Sequence, residues 1–589
     1  MRRAFSIVLL IFACHFLKAD EIIYADWLLD WTSPLIRYSG NRDSNSWTVY
    51  TNLPSSTTVA GINSAIVNCP AGQMILLSNG TFTIDAQITI GRSNIRIQGM
   101  GPTETKLLVT ASSGRVISCG AGDLPFVNST TWTGGFTKDT ANITVASAAS
   151  MSVGRLITLT QQTKNPGIVS NNGDEGESLD ASGGVINITN VMQHTTKINA
   201  INGTTITIDL PLCSTNWDSS QTPMCFIQSQ ITRTNIVLSG FQMSNTVNTA
   251  DVYNFRFGNA CDILIDNVWS SYSGGGISSR GSRHVTTLHV SRLEVINSYF
   301  EGSIAGGVES YGLAPYNCTG YYFVNNIFKD VTGIFKPTCS GYGVFAFNYA
   351  TNIVWNPQAV WLQACIGTHG THNYGLLIEG NIAPSLRMDN IHGSASHCVI
   401  YRNRLAGYET DARTDNAIAL ACQASNKCMV IVGNVLGKTN WHTVDRNIFP
   451  TAMTSSIKVV EEYGYTNVGY STVQGDADTF NTAIITHNQI SQTLNGGTNG
   501  GVYWRSPFTS SLVLPRSYAV SQRPSWWGCT FPFPSIGSDL LSISTNDSVV
   551  MNPAKLRFIT GNPFTNALTT CENATSGTGK AVNRKGRAL

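Results

Sequence analysis

Charge is scarce in this chain. Only 12% of its 589 residues are Asp, Glu, Lys or Arg, about half the usual share. That shortage excludes a coiled coil or a charged helical array. The net charge of +2 implies no field for a nucleic acid or an anionic membrane surface. A nucleic-acid footprint needs clustered Lys and Arg, and no such cluster precedes the short basic tail from Lys580 to Arg587. Long apolar runs are also missing. The run from Ala4 to Phe16, behind Met1-Arg2-Arg3, is too short for a stable bilayer span and reads as a secretory signal cleaved near Ala19. The residues ending at Cys14 only loosely resemble a lipoprotein box, because Phe12 is bulky for it. The expected location is therefore secreted or cell-surface, with no stable membrane span. There is no Cys-x-x-Cys pair and so no ordinary zinc-ribbon spacing. Thirteen of the 14 cysteines follow the signal, and export permits disulfides. Cys213/Cys225, Cys422/Cys428 and Cys529/Cys571 are candidate pairs, although connectivity does not follow from sequence. Sequons occur at Asn128, Asn142, Asn187, Asn202 and Asn317, among others.

What is abundant is glycine, at 54 residues, together with asparagine at regular intervals. Asn245, Asn267, Asn297, Asn326, Asn348, Asn381, Asn403, Asn434, Asn467 and Asn488 are each flanked by apolar residues. By subtraction the steps are 22, 30, 29, 22, 33, 22, 31, 33 and 21 residues. A period in this range marks a solenoid. Asn tolerates left-handed backbone and bonds its own turn, and stacked turns place amide on amide as in stacked sheets. The neighbouring Val, Ile and Phe suit strands. The expectation is an all-β, right-handed parallel β-helix, whose rigid lateral groove suits a linear polymer.

Around that solenoid the chain divides by composition. Residues 1–19 are the signal and 20–119 a lead-in, a cap and first coils. Residues 62–84 (INSAIVNCPAGQMILLSNGTFTI) start with helical spacing at Ile62, Ala65 and Ile66, then alternate as a strand. This reads as a short helix closing the open sheet edge. Residues 120–230 break the rhythm with hairpin-like strands and a polar loop, and read as an inserted β-rich segment. Regular coils fill 231–499. Residues 500–573, rich in Pro and aromatics, are expected to wrap back along the solenoid. Residues 574–589 read as a disordered tail.

The text of the repeats resembles secreted proteins of the pectate-lyase-like superfamily. More narrowly, it is similar to glycoside hydrolase family 28-related and β-helix repeat proteins. The matching stretches are INSAIVNCPAGQMILLSNGTFTI, NIRIQGMGPTETKLL, INSYFEGS, LLIEGNI, MDNIHGSASHCVIYRNRLAGYE, GNVLG and RPSWWG. They cover most of the chain after the signal. The resemblance implies a parallel β-helix and a polysaccharide as substrate or partner. It leaves polysaccharide lyase, glycoside hydrolase and non-catalytic glycan-binding or adhesive protein all open. The hydrolase motifs Asn-Thr-Asp, Asp-Asp and Gly-His-Gly are missing, as is the lyase motif Trp-Ile-Asp-His.

The chemistry is best sought in residues 365–415, which hold four of the ten histidines: His369, His372, His392 and His397. Glu379, Arg387, Asp389, Arg402 and Arg404 join them. Counting back from the asparagines, Lys336 and His369 lie 12 residues before Asn348 and Asn381, and His392 lies 11 before Asn403. Three consecutive coils about 4.8 Å apart thus bring Lys336, His369 and His392 near one line. Elimination from a uronate needs a base and a cation for the carboxylate. His392 or His369 can supply the base, oriented by Asp389, and Lys336 or Arg402 the cation. Hydrolysis needs two carboxylates, such as Asp389 with Glu379, or Glu301 with Asp330. The pairs His369-x-x-His372 and Asp389-x-x-His392 also offer divalent-metal ligands. No calcium motif is complete; the sequence requires no cofactor and leaves a divalent metal open. Trp526 and Trp527 can stack on sugars or seal the solenoid's flank. The sequence sets no oligomeric state.

Overall fold

The computed structural model describes residues 22–564, except residue 25 and residues 112–113, 121–125, 163–191, 248–251, 274–280, 304–309, 356, 391–392, 449, 451–457, 466–476, 491–500, 505–512, 529–530 and 541–549. The chain winds into a parallel β-helix of three faces. The coil around Asn381 shows the plan. Leu377–Glu379 lies on a first sheet, Ile382–Ala383 on a second and Leu386–Met388 on a third. Each strand pairs in parallel with its counterparts one coil before and after. The strands are short and buried, so they read as near-continuous apolar runs. Inward side chains stack coil on coil, as do Phe300 and Phe328, with ring centroids 5.1 Å apart and planes within 16°.

The asparagine ladder is real, and its register is sharper than the spacing implied. At each corner between the first and second sheets two adjacent residues divide the work. One takes left-handed backbone: Asn297, Asn325, Phe347, Gly380, Arg402, Gly433 and His487 have φ between +52° and +68°. The next residue carries the ladder: Ser298, Asn326, Asn348, Asn381, Asn403, Asn434 and Asn488. The Oδ1 of Asn381 accepts from both the main-chain N and the Nδ2 of Asn348, each at 3.0 Å. Its own Nδ2 donates to Asn403 Oδ1 at 2.9 Å and to Phe345 O at 2.9 Å. Thus Asn267 and Asn297 are left-handed corner residues (φ +53° and +55°), not ladder members. Asn245 bonds Asn254 elsewhere, at 2.8 Å. The ladder passes directly from Asn434 to Asn488, and Asn467 lies outside the described residues.

The helix Val59–Asn68 caps the first coil with Val59, Ile62 and Ile66 buried, and Thr58 accepts from Gly61 N at its start. The inserted segment folds as a closed antiparallel barrel of six strands between Phe126 and Gln228. It leaves the helix after the third-sheet strand Arg115–Cys119, and the chain rejoins the first sheet at Arg233–Ser239, which pairs directly with Ile95–Gln98. The insertion therefore sits at the corner between the third and first sheets. There Thr195 N donates to Thr319 Oγ1 at 2.9 Å, and Phe126 meets the His289 ring at 4.9 Å.

Two faces are covered by the chain's own ends. Ile22, Leu29, Trp31 and Ile36 pack on the first sheet, together with Leu514, Tyr518 and Trp527. Trp527 lies edge-on to Phe347 and Phe533, sealing that flank. The helix Pro553–Ile559 lies over the second sheet, with Ala554 against Tyr299 and Ile327.

Cys213, Cys225, Cys422 and Cys428 are free thiols, so two of the expected disulfides are not formed. Cys213 packs with the lead-in and Cys225 inside the barrel, in separate cores. Cys422 points into the solenoid interior, whereas Cys428 takes left-handed backbone in the following turn. Cys529 and Cys571 lie outside the described residues. The Asn317 sequon is buried, with Nδ2 donating to Gln193 Oε1 at 2.7 Å, so it is closed to a glycan.

Candidate functional site on the third sheet

Strand register decides which side chains meet. Phe335 pairs with Ile366, and Gly367 with Arg387. Lys336 therefore stands over Gly367 and, one coil further, Arg387. His369 follows Thr368, whose partner is Met388, and so stands over Asp389. Its Nδ1 lies 3.2 Å from Asp389 Oδ2. The expected line of Lys336, His369 and His392 is thus corrected: Lys336 is offset by two residues from His369, and His392 lies outside the described residues.

Gly367 is required by its neighbour one coil on: a Cβ there would collide with Arg387 O, while meeting Lys336 Nζ only in ordinary contact at 3.5 Å. Burial pushes Lys336 below its ordinary pKa, opposed by the Asp389 carboxylate. Arg387 is also lowered by burial, against the pull of Glu462 and Asp389. The same outward row continues backward through Ala314 and Thr286 to Arg256. Beside it runs a row of Tyr253, Arg283 and Tyr311. The Arg283 guanidinium lies 5.7, 5.6 and 4.8 Å from the ring centroids of Tyr253, Tyr311 and Tyr316. Tyr311 in turn meets the His369 ring edge-on at 6.1 Å. The result is a strip of cations and phenols ending in a His–Asp pair. His289, whose ring meets Phe126 of the barrel, is pushed down to about 3 by burial first and by Arg256 second.

Arg256, Arg283, Tyr253, Tyr311 and Tyr316 were not singled out from the sequence. Their signal is a cation or aromatic recurring at the coil interval, visible only once third-sheet register is known.

Other candidates fall elsewhere. His372 and His397 both bond Ser396 Oγ, at 3.1 and 2.9 Å. Burial pushes them down to about 3 and about 4, so both are neutral. His397 packs edge-on against Trp27 of the lead-in, 5.1 Å away, and the two secure that covering. Arg402 is a clamp: Nη1 and Nη2 grip Asp539 at 2.7 and 2.8 Å, and Nε donates to Pro515 O at 3.0 Å. Glu379 is buried on the first sheet, with Oε2 accepting from Tyr518 N and Ala519 N at 2.9 Å, so it does not face Asp389. Glu301 and Asp330 are bridged by Lys329 Nζ at 2.8 and 2.9 Å, which removes them as a hydrolytic pair. Among the described residues no three His, Cys, Asp or Glu side chains gather to hold a metal ion.

No protein-family model matches the sequence, and a search of curated proteins returned no match. Solved structures give distant likenesses. The tailspike gp61 of Pseudomonas phage phi297 is 12% identical, with a TM-score of 0.43, over 74% of this chain and 62% of that one. The alginate lyase from Paenibacillus sp. str. FPU-7 is 9% identical, with a TM-score of 0.37, over 71% and 99%. PfbA, a surface adhesin of Streptococcus pneumoniae, is 11% identical, with a TM-score of 0.37, over 76% and 94%. This chain therefore spans less than two thirds of the phi297 tailspike's length. At these identities and scores the likenesses assign no activity.

Proposed function

We propose that this protein is an exported β-helix protein that cleaves an acidic polysaccharide by β-elimination along the third sheet. The observation that supports this most is the juxtaposition of Lys336 and Arg387 with the His369–Asp389 pair. In this reading the uronate carboxylate lies against Lys336 and Arg387, which stabilise the charge that builds when the neighbouring C–H is ionised. Asp389 accepts from His369 Nδ1–H, leaving Nε2 to take the proton at C5. The C4–O4 bond then breaks, a C4=C5 double bond forms, and the departing oxygen takes up a proton. Hydrolysis is less well supported, because the carboxylate pairs it needs are occupied as clamps or bridged by lysine.

Incubation of the purified protein with a panel of acidic and neutral polysaccharides tests this. Ultraviolet absorbance from unsaturated uronates is expected, and His369→Gln should reduce it about 10²- to 10⁴-fold. Reducing ends without absorbance would replace elimination by hydrolysis. Binding without product, by folded protein, would make this a glycan-binding protein.

A further inference from the structure

The corner between the second and third sheets carries a separate pocket, and coil length explains it. Between Asn348 and Asn434 the coils run long, short, long, at 33, 22 and 31 residues. The middle coil turns from Ala383 to Leu386 almost at once, whereas its neighbours continue from Thr351 to Ile366 and from Leu405 to Ile418. The two long turns stand up as walls and the short one forms a floor. The space between is about 320 Å³, at the small end of ligand pockets.

The walls are tied to each other. Glu409 Oε1 accepts from Ile353 N at 2.6 Å, Arg413 Nη1 donates to Trp361 O at 2.7 Å, and Leu362 N donates to Asp415 O at 2.8 Å. This cavity is therefore preformed. Its lining mixes the apolar Ile382, Ala383 and Pro384 of the short turn with the rings of Tyr349 and Tyr408, the polar Asn352 and Glu409, and the buried cations Arg404 and Lys555. Tyr408 is fixed from behind by Trp441, edge-on at 4.9 Å, and by Lys438 Nζ over its ring.

Two aromatic rings and an apolar turn beside amide, carboxylate and cationic groups match a ring with a C–H face and a hydroxyl edge. We propose that this pocket binds a single pyranose unit of a glycan. Such a site lies on a different corner from the His369–Asp389 pair and does not depend on catalysis there. Together the two would hold a chain at one place while another part of it lies on the third sheet, raising the effective concentration of the second contact.

Saturation-transfer NMR with the full chain and free glucose, galactose, N-acetylglucosamine and glucuronate tests the proposal. At least one sugar should give a saturable signal. Thr351→Trp, which fills the pocket, and Tyr408→Ala should each weaken it about tenfold or more. A preference for glucuronate would tie the pocket to the acidic polymer, and a preference for a neutral sugar to another glycan. No saturable signal from any of the four, or a signal that survives Thr351→Trp in folded protein, would overturn the proposal. Neither result bears on elimination, which is read with His369→Gln.

Discussion

Two neighbouring residues share each ladder corner, and this explains both what the asparagine text revealed and where it misled. A left-handed backbone residue and a buried amide stand side by side, and Asn suits both positions. The pair Asn325-Asn326 shows them together. Spacing alone therefore identified a β-helix but slipped by one residue at Asn297, where the ladder position is held by Ser298. Only the amide position is expensive to lose. Asn381→Ala would leave Asn348 N–H, Asn348 Nδ2 and Phe345 O short of a buried partner. At about 1–3 kcal/mol per orphaned group, the variant should lose roughly 3 kcal/mol or more. Urea unfolding followed by tryptophan fluorescence measures this. A loss below about 1 kcal/mol would mean that the ladder is ornamental to stability.

At the scale of elements, the anchors of the C-terminal strap over the first sheet were not legible in the sequence. Arg402 and Glu379 drew notice as charged residues in a chain with few of them. Each proves to be buried against backbone and carboxylate more than a hundred residues away. Sequence spacing carries no trace of such long-range pairing, so a clamp and a catalytic group look alike. The clamp has a consequence for pH. Burial raises Glu379 from an ordinary 4.5 to about 7. A group whose folded pKa is raised contributes stability that is complete below about 4.5 and is lost as pH rises through about 7. The difference is roughly 3 kcal/mol in favour of the strap at low pH. Protection factors at Tyr518 and Ala519, corrected for the intrinsic pH dependence of amide exchange, should therefore be higher at pH ~5 than at pH ~8. Glu379→Gln, which keeps an acceptor without a charge, should flatten that difference. An unaltered pH dependence in the variant would remove Glu379 from the account.

Over the whole molecule, the solenoid has three faces and its own termini cover two of them. The lead-in and strap lie on the first sheet, and the helix Pro553–Ile559 lies on the second. The third sheet instead carries Arg256, Lys336 and Arg387 on one outward row, in a chain otherwise short of charge. Five coil steps separate Arg256 from Arg387 (through positions 286, 314, 336 and 367), by the strand register. At ~4.8 Å per coil the row is about 24 Å long, the span of roughly five sugar units, and Arg256, Thr286, Ala314 and Lys336 along it are buried, so a polymer bound here displaces what covers them. Affinity for uronate oligomers should then rise with length and level off near five units. It should also weaken with salt, because the contacts are cation to carboxylate. Lys336→Met and Arg387→Met should each cost about ten- to hundredfold in binding, the worth of a charge-assisted hydrogen bond. The loss should be in affinity for long oligomers, with little change for a monosaccharide. Isothermal titration of a length series against the parent and both variants reads all three trends. Affinity that is indifferent to length, to salt and to both cations would show that the polymer does not run along this face.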